Sequence, residues 1–158
     1  MIPDWLFVAT LATALGCGVM AGVFFAFSAG IMNALGRLPP SQGMAAMQSI
    51  NIAVINPSFL GVFLGTAAMC VLLVISSVMT WHLPGSVYRV GGSLLYVVGT
   101  LLVTIVFNIP RNDALAAADP ASAGGGNLWA GYLTTWTRWN HVRGAAALAA
   151  AAMLIAAL

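Results

Sequence analysis

Trp5-Leu-Phe-Val-Ala-Thr-Leu-Ala-Thr-Ala-Leu-Gly-Cys-Gly-Val-Met-Ala-Gly-Val-Phe-Phe-Ala-Phe-Ser-Ala-Gly-Ile-Met-Asn-Ala-Leu35 contains no charged side chain, and it decides the fold. As a helix it measures about 46 Å, more than the roughly 30 Å hydrocarbon core of a bilayer, so it can cross a membrane only by tilting, bending or protruding. The rest of the chain has the same character. Of 158 residues, 61% are hydrophobic and 5% charged, with a mean hydropathy of +1.01, whereas soluble domains carry about 25% charged residues. The ionic groups are five Arg and three Asp, with no Lys or Glu. There is thus no basic stripe for nucleic acid and no acidic tail for a protein partner.

Three further apolar runs complete an expected all-α, integral membrane four-helix bundle in one domain. Spans are expected at about 5–35, 57–81, 89–108 and 136–158. Asn56 and Pro57 supply a cap and a first-turn residue for the second span. Asn108-Ile-Pro110 is expected to close the third, because proline disfavours helix in the residue before it. The run from Gly144 to Leu158 is too short to cross alone. Counting back about 20 residues from Leu158 places Trp139 at the opposite interface. Met1-Ile2-Pro3-Asp4 lacks the positive charge of a signal peptide, so the first span is expected to remain. A stretch at 41–52 reads as amphipathic, suited to lying in the headgroups, and 111–127, ending in glycines, reads as a flexible loop.

Four spans put both termini on one side with the connection around His82. Arg37, Arg111 and Arg138 fall on the other side, with Arg143 close by, so the connections after spans one and three are expected in the cytoplasm. Cys17 and Cys70 sit inside apolar runs and read as buried thiols. Gly18-Val-Met-Ala-Gly22 and Gly61-Val-Phe-Leu-Gly65 have the spacing that lets helices approach closely in lipid, chiefly within the chain and alternatively in a homo-oligomer.

Polar side chains inside a membrane are costly, so where they gather is a functional question. Gln48, Asn51 and Asn56 follow span one. Asn108, Arg111 and Asn112 end span three, and Trp136, Trp139, Asn140, His141 and Arg143 begin span four. Alternating spans bring all three groups to one face. Trp129, Tyr132, Trp136, Asn140 and Arg143 recur at three-and-four spacing and form one stripe on a helix. Trp139 and Arg143, four apart, suit a cation-π pair. The same residues also fit an aromatic belt facing lipid, with Arg snorkelling to phosphates; Asn56 also reads as a plain cap, and Asn108 as a helix terminator. His141 points about 100° away from Asn140. His82 lies on the opposite face, so the two histidines cannot share a metal ion, although His141 alone leaves a haem or metal ion open. Nucleotide-binding loops and nucleophile elbows are absent from the sequence.

These segments resemble the anthrone oxygenase-like family of small four-helix membrane proteins. The resemblance is carried by Gly22-Val-Phe-Phe-Ala-Phe-Ser28, Ala46-Met-Gln-Ser-Ile-Asn51, Asn56-Pro57, Asn108-Ile-Pro-Arg-Asn112 and Trp136-Thr-Arg-Trp-Asn-His-Val-Arg143. It implies an O2-dependent oxygenase in the bacterial inner membrane, acting on an anthrone-like aromatic or polyketide substrate without an organic cofactor. On that reading His141 is the base, and Asn140 and Arg143 stabilise the oxyanion. Trp136, Trp139 and Phe25 wall a flat slot, and Asn51, Asn56, Asn108, Asn112 and Gln48 contact the substrate or hold His141. Expected partners are membrane lipid, the aromatic substrate and O2. Two alternatives remain: a haem- or metal-binding redox protein using His141, and a non-enzymatic membrane protein that binds a small molecule or a partner.

Overall fold

The computed structural model describes residues 2–158, and among them all the regular secondary structure is helical. Five continuous helices occur: α1 (Asp4–Gly36), α2 (Pro40–Ala53), α3 (Pro57–Met79), α4 (Ser86–Ala116) and α5 (Gly125–Ala156). Among them α1, α3 and α4 are long and apolar enough to cross a membrane, with mean hydropathies of 2.0, 2.4 and 2.2 over their most apolar stretches. α5 is not one of these three. It carries Asn127, Arg138, Asn140, His141 and Arg143 from its start to just past its middle, and these polar side chains lower its hydropathy.

The four long helices pack side by side, α5 against α1 and α4, and α3 against the same two. Cross-links along the α4–α5 seam show it to be antiparallel. Ala157 meets Gly85, Ala150 meets Gly92, Ala146 meets Gly99, and the Asn108 amide reaches the Trp136 carbonyl. α1 runs antiparallel to α5 as well, with Phe24 against Gly144 and Ser28 against Asn140. Both ends of the chain therefore lie at one end of the assembly. α2 covers the other end.

Two apolar clusters follow from this arrangement. One fills the length between the four long helices with Leu6, Cys17, Met20, Phe24, Phe63, Cys70, Tyr96 and Leu154, all buried. The other lies beneath α2 and joins Met44 and Met47 to Met32, Leu115, Trp129, Tyr132 and Trp136. Met44 and Met47 are the buried face of residues 41–52 and lock that helix onto the long ones.

Asn108-Ile-Pro110 does not end α4, which continues to Ala116. The turns Val97–Leu102 and Thr104–Asn108 just before the proline are π-helical, and this wider winding displaces the carbonyls that the pyrrolidine ring would otherwise strike. Residues 111–116, expected in a flexible loop, are helical for this reason. The remaining connection is pinned by Asp119, whose carboxylate accepts from the Ala121 amide at 2.9 Å. At the other end Arg89, in the first turns of α4, is fully buried. It donates to the hydroxyls of Ser77 (3.1 Å) and Ser86 (3.0 Å) and lies 3.5 Å from the Ala157 carbonyl, holding the electronegative end of α5. Gly85 stands in the left-handed region at φ 78°, and a Cβ there would come within 2.5 Å of the Ala157 carbonyl oxygen.

Gly18, Gly22, Gly61 and Gly65 do not mediate close packing within the chain, because a Cβ added at any of them meets nothing within 4 Å. Gly16 does this instead, facing Thr66 where α1 crosses α3. Gly16→Ala is therefore expected to cost about 1–3 kcal/mol through overpacking. Gly22→Ala and Gly65→Ala should leave stability unchanged or raise it by up to about 1 kcal/mol through helix propensity. Thermal unfolding in detergent measures all three, and equal effects would show the Gly16 contact to be immaterial.

Candidate functional site

The stripe on α5 faces inward. Trp129, Tyr132, Trp136, Asn140 and Arg143 are all buried, the last at 8% exposure, so these residues form no lipid-facing belt. What turns them inward is partnering from α1 and α4. The Asn140 amide donates to the Phe24 carbonyl at 2.7 Å and to the Ser28 hydroxyl at 2.6 Å, while its oxygen accepts from Arg143 Nε at 2.9 Å. Ser28 lies in the π-helical turn Phe27–Ile31, and Thr100 and Thr104 lie in the two π-helical turns of α4. Arg143 Nη1 donates to Thr104 Oγ1 (3.3 Å), Thr104 donates to the Thr100 carbonyl (2.7 Å), and Thr100 donates to the Arg143 carbonyl (3.0 Å). Wide turns of this kind recur at functional sites, since they offset side chains from the regular helical rows.

The guanidinium carbon lies 4.3 Å from the centre of the Phe24 ring and 4.9 Å from that of Trp136. The cation-π partner expected at Trp139 is thus replaced by two rings on the buried side. Trp139 instead stacks on Phe107 at 3.6 Å, with the planes 6° apart. The hydrogen-bond partners of Arg143 are neutral: an amide oxygen and a hydroxyl.

Arg143, Phe24, Trp136, Asn51, Asn112 and Thr104 line a chamber of about 250 Å³ where the two apolar clusters meet, completed by apolar residues of α1, α2 and α3 such as Phe27, Met47, Phe59 and Phe63. Asn51 Nδ2 and Trp136 Nε1 are buried there without a hydrogen-bond partner. Asn112 Oδ1 accepts from the Tyr132 hydroxyl at 2.9 Å. The chamber therefore presents a cation and amide and indole donors in an aromatic setting, an arrangement that can hold a flat ligand by an oxygen bearing negative charge.

Of the residues singled out in the sequence, Asn51, Asn112, Trp136 and Arg143 meet at this chamber, and Asn140 braces it from behind. Asn108 is fully buried beside it; its Nδ2 donates to the Trp136 carbonyl at 3.3 Å, and its Oδ1 has no partner. The others lie elsewhere. Gln48 donates to the Leu115 and Ala118 carbonyls at 2.7 and 3.0 Å and so caps α4. Asn56 caps α3, accepting from the Phe59 amide at 3.0 Å, and is exposed. Phe25 is 72% exposed, and the wall of the chamber is its neighbour Phe24. His141 is exposed and borders a separate groove of about 510 Å³ between α1 and α5, with Phe25, Gly18, Gly22 and Gly144. Phe24 borders both the groove and the chamber, and Asn140 borders the groove while accepting from the chamber's Arg143.

Among the described residues, no three His, Cys, Asp or Glu side chains gather where they could hold a metal ion. Sequence reasoning missed Phe24, Ser28, Thr100 and Thr104. Their signal was present: Phe24 with Ser28 and Thr100 with Thr104 are each four apart, placing a polar group on one face of a run that is otherwise apolar.

A family model described as anthrone oxygenase matches residues 59–153, from α3 to near the end of α5. The chain belongs to the anthrone oxygenase family. The matched span holds Thr104, Asn108, Asn112, Trp136, Asn140 and Arg143, while Phe24, Ser28 and Asn51 lie outside it. No curated protein and no solved structure matches this anthrone oxygenase family member. Membership assigns an oxygenase-like function, and the fold and chamber above come from the chain's own geometry.

Proposed function

We propose that the protein is a membrane-embedded oxygenase that converts an anthrone-like aromatic methylene to a carbonyl at the Arg143 chamber, using O2 and no organic cofactor. The observation that carries this reading is the Arg143 guanidinium, buried between two aromatic rings with neutral partners and facing a chamber. An anthrone methylene lies between two rings and is conjugated to a carbonyl, so loss of one proton gives a delocalised carbanion whose charge rests largely on the carbonyl oxygen. Arg143 and Asn51 are the donors for that oxygen. The carbanion passes one electron to O2, the radical pair combines and takes up a proton as a hydroperoxide, and loss of water leaves the second carbonyl. One oxygen atom enters the product and one leaves as water.

In this reading α5 is a fourth span. It packs along α1 and α4, and its polar side chains Asn140 and Arg143 are satisfied inside the bundle, which removes the cost of carrying them through lipid. Arg37, Arg111 and Arg138 lie at the α2 end and Arg89 at the other, so the α2 end faces the cytoplasm. The outward Gly18, Gly22, Gly61 and Gly65 leave room for a second copy in a homo-oligomer.

His141 lies outside the chamber, and its service as base requires a substrate seated in the α1–α5 groove. The test is O2 uptake and quinone formation from anthrone by the purified protein in lipid nanodiscs. His141→Ala is expected to stay within about twofold of wild type, since the transition-state donors are untouched. A loss of about 10²-fold, the scale of general-base removal, would move the reaction to the groove. No turnover of anthrone or related methylenes by the wild type would end the oxygenase reading. A haem Soret band or stoichiometric metal in the purified protein would favour the His141 redox alternative.

A further inference from the structure

We propose that the chamber takes its ligand as an anion: a planar aromatic whose enol or phenol ionises on binding, with Arg143 as counter-ion and Asn51 at a second oxygen. This rests on the chamber being the substrate site and not on the reaction with O2 that follows.

Donor capacity is left over in the chamber. Arg143 uses Nε on Asn140 and Nη1 on Thr104, and Nη2 meets no protein acceptor. Asn51 Nδ2 and Trp136 Nε1 are buried and unpartnered. Two chamber acceptors are engaged, since Asn112 Oδ1 takes the Tyr132 proton, and Thr104 Oγ1 takes one from Arg143. The unpartnered acceptor Asn108 Oδ1 belongs to a residue that does not border the chamber.

The groups that touch the guanidinium are neutral, Phe24 on α1, Thr104 on α4, and Trp136 and Asn140 on α5, as are Asn51 and Met47 on α2 and Phe63 on α3, which line the same chamber. Tyr132 is the nearby titratable group, and its phenol is a donor to Asn112. A buried cation without a counter-charge is a costly arrangement, and a bound anion relieves it. The same field favours the ionised form of any acidic ligand held there, because attraction to a nearby cation is strong where water is excluded. No carboxylate, imidazole or thiol lines the chamber to receive the proton. It therefore leaves to bulk water as the ligand enters, which accounts for a site that holds no base. The rings of Phe24 and Trp136 select a flat anion over an aliphatic carboxylate.

The test uses 1,8-dihydroxyanthraquinone, whose anion absorbs at longer wavelength than the neutral dye, with the full chain in nanodiscs and protein-free nanodiscs as reference. Bound dye is expected to ionise at a proton concentration about tenfold or more above that of the reference. Arg143→Gln should abolish the displacement and weaken binding at least about tenfold, and Arg143→Lys should keep part of it. Dye that titrates on wild type as it does in protein-free nanodiscs overturns the proposal, and this comparison stands even if a variant fails to fold. Equal displacement in wild type and folded Arg143→Gln overturns it too. An ionised dye without O2 uptake on anthrone supports anion binding and sinks the oxygenase reading. O2 uptake with a neutral bound dye does the reverse.

Discussion

Arg143→Met is expected to lower turnover of anthrone by about 10²- to 10³-fold, equivalent to about 2.7–4 kcal/mol of lost transition-state stabilisation. Methionine keeps an unbranched apolar stem that ends near the Nε position, and it removes the charge, the guanidinium's contacts with Phe24 and Trp136, and the donors aimed into the chamber. Its Asn140 and Thr104 partners are then short of one donor each, which is why the helical content and unfolding temperature must be measured beside the rate. Lysine restores charge without the planar fork and should recover only part of the loss. Most of the effect should fall on kcat if the guanidinium meets charge that develops during the reaction. It shifts toward KM to the extent that the substrate is already an anion when bound. Initial rates of O2 uptake across substrate concentrations separate the two, and a Met variant within threefold of wild type would remove Arg143 from the mechanism.

The second large effect is expected at Asn140, where one amide joins three polar groups of α1 and α5. Asn140→Leu keeps the volume but leaves the Phe24 carbonyl, the Ser28 hydroxyl and Arg143 Nε without their partner. Interhelical hydrogen bonds within membranes average about 0.6 kcal/mol, and orphaning a buried charged donor adds about 1–3 kcal/mol, so a total near 2–4 kcal/mol is expected. Activity should fall with stability, because the guanidinium loses the contact that orients it. Ser28→Ala removes only one of the three contacts and is expected to cost no more than about 1 kcal/mol, with most activity kept. Thermal unfolding of both variants in the same detergent tests the ranking; an Asn140→Leu protein as stable as Ser28→Ala would show that the network is not what holds α5 to α1.

How much of this could be read along the chain depends on the residue in question. Trp129, Tyr132, Trp136, Asn140 and Arg143 follow the helical period, and their common face is a consequence of that period in any straight helix. Asn51 and Asn112 come to the same chamber because alternating helices carry them to the same end. Gln48 and Asn56 come to that end too, yet both are consumed as helix caps, because the nearest unsatisfied groups were backbone groups of α4 and α3. Pro110 pointed to a helix end, and the π-helical turns before it, set by packing of Thr100 and Asn108 against α5, removed the need for one.

Length against bilayer thickness and hydrophobicity against charge content are properties of a line of residues, so the helical, membrane-suited character of this protein and the polar stripe of α5 were determined before any folding is considered. Which side of each helix turns inward is a property of neighbours. A single position along a helix is a rotation of about 100°, and that step separates Phe24 from Phe25. Two positions separate the buried Arg143 from the exposed His141. Only the packing of α1, α4 and α5, through Ser28, Thr100, Thr104 and Asn140, selected the guanidinium for the chamber and left the imidazole outside it.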